Sequence, residues 1–204
     1  MILFLSLNLM LLFSCQEDAT KQFAQDNKNS FEFQEANFFK KDHNDVPLVG
    51  RWDTPPLVKV CNGVEISQER LEKAINFWRE LGYQIDGPIK DITGLCRPSV
   101  GHILIRNPSG AELSRSISKD HLATTAISKW DFYPGVLAGA EIYFQTTDVH
   151  KLDWVVEHEI GHALGWLHSS KLGHLMNSRY KLVGPDLDGI NKDCYDSAVI
   201  SKLD

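Results

Sequence analysis

The chain has 204 residues, of which 43% are hydrophobic and 24% charged, and its formal net charge is −6. A core of about 150 residues is enough for one globular domain, and no internal repeat or second domain is visible. With an acid excess and no basic patch or stripe, nucleic acid is excluded as the expected partner; Arg106, Arg115, Lys119 and Lys129 are scattered and read as solvated surface.

Residues 2–13 are almost wholly apolar. Such a run is too short to span a bilayer, which needs ~20 residues, and it reads as an export signal. It ends at Leu12-Phe13-Ser14-Cys15, which resembles a bacterial lipoprotein signal whose Cys is acylated after cleavage. The readings are a lipoprotein tethered to a cell surface or outer membrane through Cys15, a secreted protein with a simple signal, and, behind these, an uncleaved apolar anchor or a mis-called start. Residues 16–45 are polar, rich in Asn, Gln, Lys and Asp with scattered Phe, and read as a tether or short pro-segment. The expected layout is therefore a signal over 1–15, a tether over 16–48 and a catalytic domain over 49–204.

Within the domain, residues 57–61 form a strand candidate after Pro55 and Pro56. Ser67 suits a helix N-cap and Glu69 its first turn. Leu71, Ala74, Ile75, Trp78 and Leu81 then make a helical stripe that Gly82 closes. Ile103, Leu104 and Ile105 form a strand core, and 122–128 and 140–145 are two more strand candidates. If Cys15 is lipidated, Cys61, Cys96 and Cys194 allow one disulfide. Cys61 with Cys96 is the preferred pair, because both flank the first helix and an exported chain meets an oxidising compartment. The other reading leaves all thiols free and buried.

The most informative segment is His158-Glu159-Ile160-Gly161-His162-Ala163-Leu164-Gly165-Trp166-Leu167-His168, which has the form HExxHxxGxxH. His158 and His162 lie four residues apart, so they leave one helix face and can reach one metal. A third imidazole completes a site that keeps one position open, as catalytic zinc requires. Gly165 lets the chain leave the helix in a conformation other residues disfavour, so that His168 can return to the same ion. Glu159 sits beside the first ligand, placed to act as general base toward water. A lone HExxH also occurs in ordinary amphipathic helices, but five specified positions in eleven residues are hard to meet by accident. Leu152, Val156, Ile160, Ala163, Leu164 and Leu167 recur at spacings of three and four and form an apolar stripe facing the core. Either Asp148 or Asp153 can cap the helix.

Gly173-His174-Leu175-Met176-Asn177 follows closely, with Tyr180 four residues beyond the Met and Gly184-Pro185-Asp186-Leu187-Asp188-Gly189-Ile190 after it. The long zinc motif, the downstream Met and this closing segment together resemble the matrixin type of metzincin, the group that includes the matrix metalloproteinases. The position two residues after the Met, a Tyr in astacins and serralysins, is Ser178 here. The resemblance implies an α+β metzincin (zincin-like) fold: a twisted mixed sheet, an active-site helix and a C-terminal helix, the last expected around 184–190 and beyond. It agrees with one catalytic zinc held by His158, His162 and His168, with Glu159 as the catalytic carboxylate. Met176 forms a hydrophobic floor under the metal, Tyr180 lines the wall of the S1′ pocket, and substrate lies along an edge strand, for which 122–128 is the candidate. His174 reads as a loop residue, since three ligands are already supplied.

The chain departs from the resemblance in two places. Between 107 and 144 the His- and Asp-rich loop of a second, structural zinc is reduced to Asp120, His121 and Asp131, so one zinc is expected and nothing supports the family's calcium sites. The inhibitory propeptide motif with its switch cysteine is absent. The expected function is zinc-dependent endopeptidase, acting as a monomer on peptide or protein substrates. The rival is a catalytically inactive, zinc-bound surface module that holds peptide without cutting it.

Overall fold

The computed structural model describes residues 46–92, 96–117, 122–129 and 135–190. The signal, residues 16–45 of the tether, Cys15, Cys194, the 120–121 and 131 positions, and any helix after Ile190 lie outside them. No helix among the described residues is long and apolar enough to cross a membrane.

Five strands form one mixed sheet: β1 (Leu57–Val60), β2 (Asp86–Lys90), β3 (His102–Arg106), β4 (Ala123–Lys129) and β5 (Leu137–Phe144), in the spatial order β2-β1-β3-β5-β4. All neighbours are parallel except β4, which runs antiparallel to β5 and forms one edge. Period-two alternation sends Val58, Val60, Ile103, Ile105, Ala140, Ile142 and Phe144 into one apolar cluster. On that face lie α1 (Gln68–Glu80) and the short α3 (Val155–Ala163), whose Val156, Ile160 and Ala163 are fully buried. The helix α2 (Gly110–Ile117) follows β3.

Helix α1 and its surroundings agree with the sequence expectation. Ser67 caps α1, accepting from the Arg70 N–H at 3.1 Å, and Leu71, Ala74, Ile75 and Trp78 are its buried residues. Gly82 takes φ +92° just after the helix. Cys61 and Cys96 are joined, with Cα atoms 5.5 Å apart.

Several expectations are corrected. Strand β2 was not anticipated because Asp86-Gly87-Pro88 reads as a turn; an edge strand tolerates a proline that a central strand would not. Helix α2 was also missed, although its start carries a capping box: Ser109 Oγ accepts from the Glu112 N–H at 3.3 Å and Glu112 Oε2 accepts from the Ser109 N–H at 2.7 Å. Arg106 is not solvated surface. It pairs with Glu112 at 2.6 Å and Glu141 at 2.5 Å, and lies over the Tyr143 ring, 5.0 Å from its centroid. The two carboxylates hold its guanidinium ionised, and Glu112 is pulled down to about 2 chiefly by its hydrogen bond to Arg106. Residues 184–190 are not helical: Asp186 bridges to His174 and a turn follows at Asp188 and Gly189. Gly184 and Pro185 at its head, with Gly189 at φ +83°, break the helical pattern there.

Candidate metal and catalytic site

Helix α3 is shorter than its apolar stripe, since Leu152 and Leu167 fall outside it. Neither Asp148 nor Asp153 caps it. The N-cap is Trp154, left-handed at φ 66°, with no side-chain cap bond. Arg70 of α1 secures this entrance instead. Its guanidinium donates to both carboxylate oxygens of Glu157 at 2.7 and 2.6 Å and to the His150 carbonyl at 3.1 Å. Trp78 Nε1 donates to the Glu157 carbonyl at 2.8 Å.

The helix exit follows the glycine logic. The Gly165 N–H donates to the His162 carbonyl and the Trp166 N–H to that of Gly161, the paired bonds of a Schellman motif. Gly165 has φ +105°, and a Cβ there would lie 2.0 Å from the Gly50 carbonyl oxygen. The strap before β1 crosses at this point, bonded through Val49 to Gly165 and through Pro47 to Leu167. Trp52 Nε1 also donates to the Ala163 carbonyl at 2.9 Å.

This exit returns His168 to His158 and His162. Each of the three offers a nitrogen, all within 4.8 Å of one another, and they are the one group among the described residues able to hold a metal ion. His158 Nδ1 lies 2.7 Å from the Leu175 carbonyl and His162 Nδ1 lies 2.6 Å from that of Trp166. A carbonyl only accepts, so both Nδ1 atoms carry the proton and both Nε2 atoms present lone pairs. His162 Nε2 is 3.0 Å from His168 Nε2. Ligands 2.0–2.1 Å from a tetrahedral ion stand roughly 3.3 Å apart. Burial holds His158 down to about 4 and His162 well below its ordinary value, so both rings are neutral. Neutral, pre-oriented imidazoles fit zinc.

Glu159, 6% exposed, lies beside this triad. Its Oε2 accepts a hydrogen bond from Thr125 Oγ1 of β4 at 2.5 Å. Burial pushes its carboxyl up to about 7, against the lowering effect of the Thr125 bond.

Met176 is fully buried. It packs on Gly161, where a Cβ would come within 2.6 Å of Met176 Sδ and 2.8 Å of Trp78 Cζ2. The unspecified position between Glu159 and His162 thus demands glycine. His174 is more than a loop residue: buried completely, its Nδ1 accepts from the Met176 N–H at 2.9 Å and its Nε2 meets the Asp188 carbonyl at 2.9 Å. It ties the Met turn to the following loop. Tyr180 opens a 3₁₀ turn (Tyr180–Leu182), half-buried against the core.

Thr125, Gly161 and the Arg70–Glu157 pair were not singled out by sequence, and His174 was read only as a loop residue. Arg70 and Glu157 stand 87 residues apart, with no local spacing to link them. Gly161 was visible as a glycine inside a helix, which usually has a packing reason.

No curated protein matches the chain. The matrixin family matches over residues 16–203, which includes the polar stretch before Val49. With the histidine triad closed by the Gly165 turn and a buried methionine beneath the helix, this match establishes that the chain belongs to the matrixin family of metalloproteases.

Proposed function

We propose that the chain is an exported, zinc-dependent endopeptidase with one catalytic ion. The observation that carries the reading is the convergence of three imidazoles beside the buried carboxylate of Glu159, next to β4, the outermost strand of the sheet among the described residues. His158, His162 and His168 hold the metal. When bound, zinc acidifies water and polarises the scissile carbonyl.

The protein's own groups do the remaining work. The Leu175 and Trp166 carbonyls fix the imidazole tautomers. Glu159 takes the proton from the attacking water and delivers it to the leaving amine, and a carboxyl raised to about 7 is poised for both transfers. Met176 floors the site and Tyr180 walls the pocket beside it. The outer edge of β4, unpaired among the described residues, takes an extended peptide as an added strand. The apolar run at 2–13 and the Cys61–Cys96 bridge support export, with Cys15 as the lipid attachment point.

The test pairs zinc stoichiometry with peptide turnover. Wild type should hold close to one zinc and cleave a peptide library in a chelator-sensitive way. Glu159→Ala should keep the zinc and lose turnover by at least about 10²–10⁴-fold, whereas His162→Ala should lose both. Wild-type turnover in Glu159→Ala would overturn the assignment. Zinc binding without wild-type cleavage would favour the inactive peptide-binding module.

A further inference from the structure

The general base is held from the edge strand. Thr125 pairs in register with Ile142, and Ile142 is fully buried in the core. The Thr125 side chain therefore points to the core face, where α3 lies, while Thr124 and Ala126 point to the opposite face. Its hydroxyl sits 2.5 Å from Glu159 Oε2 and 3.2 Å from the Glu159 carbonyl oxygen. One proton cannot serve both acceptors fully. The shorter contact has the length of a charge-assisted O–H···O⁻ bond.

Glutamate has three side-chain torsions, and a base acts only where its oxygen meets the water. Fixing the carboxylate before substrate arrives removes that search from the barrier. With Oε2 engaged by Thr125, Oε1 is the oxygen left for the water. The same residue sits in the strand that would receive the peptide, so strand and base are set against each other by one bond.

We infer that Thr125 is a positioning residue for the reaction: its hydroxyl anchors the Glu159 carboxylate from β4 so that the second oxygen faces the attacking water. This rests on the peptidase reading above. It concerns Glu159 rather than the metal, so zinc content should be indifferent to it.

The experiment compares Thr125→Val, which keeps shape and β-branching but loses the hydroxyl, with Thr125→Ser, which keeps it. Thr125→Val should retain one zinc and a cooperative melt while kcat falls roughly 10- to 100-fold, the range for a hydrogen bond to a charged group. Its KM should stay within about threefold, because the bond orients the base and not the substrate. Thr125→Ser should restore kcat to within about threefold of wild type. In the Glu159→Gln background, adding Thr125→Val should slow residual turnover no further, since both changes act on one group. Crystals of metal-free Thr125→Val should show the Glu159 carboxylate displaced from its place beside residue 125.

An unchanged kcat in Thr125→Val, a loss confined to KM, or additive losses in the double variant would each overturn the inference. If Thr125→Val does not fold, Thr125→Ala replaces it under the same criteria. Absence of chelator-sensitive turnover in wild type would sink the peptidase reading, and the kinetic role of Thr125 with it. The crystallographic comparison would still decide whether Thr125 anchors the carboxylate.

Discussion

Replacing Arg70 with Met tests what holds the histidine-bearing helix α3 in place. Arg70 is 16% exposed and Glu157 3%, and the guanidinium grips the carboxylate at 2.6 and 2.7 Å. It also donates to the His150 and Leu152 carbonyls, at 3.1 and 3.5 Å. Methionine fills the space of the stem but leaves a buried carboxylate without its cation. Removing one partner of a buried pair costs about 3–5 kcal/mol. A domain of this size loses roughly 2–4 °C of Tm per kcal/mol, so Arg70→Met should melt roughly 6–20 °C lower. Replacing both partners, Arg70→Met with Glu157→Leu, removes the orphaned charge and should recover most of the loss. Urea unfolding of both single variants and the double variant at constant pH, with the disulfide intact, measures the coupling. If Arg70→Met costs under about 1 kcal/mol, solvent screens the pair as it does at a surface, and the helix is anchored by packing alone. Purely additive costs would refute the pairing argument as well.

Two further outcomes follow from single residues. Gly165→Ala should destabilise by about 3 kcal/mol or more, combining left-handed backbone strain with a Cβ driven into the Gly50 carbonyl; it should also weaken zinc retention, because His168 follows that turn. A melt within a degree of wild type would contradict the close approach. The third concerns pH. Burial lowers the His174 pKa below its ordinary 6.5, and its Nδ1 must stay unprotonated to accept from Met176. The folded chain thus binds fewer protons than the unfolded chain below pH 6.5, so this contribution is full above that value and lost as pH falls. Between pH 7.5 and 5, wild type should lose more unfolding free energy than His174→Ala, which lacks the group. Equal pH slopes would show that His174 does not act in this way.

What the amino-acid sequence determined by itself is local. The histidine pair at the heart of the candidate metal site was legible because a helix repeats every 3.6 residues, which makes i and i+4 neighbours without reference to the rest of the fold. The role of Gly165 was legible because a glycine after a helical stripe signals an exit. The α1 stripe, four of the five strands and the Cys61–Cys96 pair were read from period and position in the same way. The capping box of α2 is equally local.

Other features arise from tertiary contact between segments far apart in the chain. Helix α3 starts at Val155 under Arg70, 87 residues from Glu157, so no local cap could have been read. Gly161 must be glycine because Met176 and Trp78 meet there. Thr125 looks like any strand threonine until β4 pairs with β5 and turns its hydroxyl onto Glu159, 34 residues on. His174 looked like a loop residue because only the folded loop brings Met176 and Asp188 to its two nitrogens. Short-range periodicity selects which groups share a face, but only closure of the sheet and packing of α1 on α3 decide what each face meets.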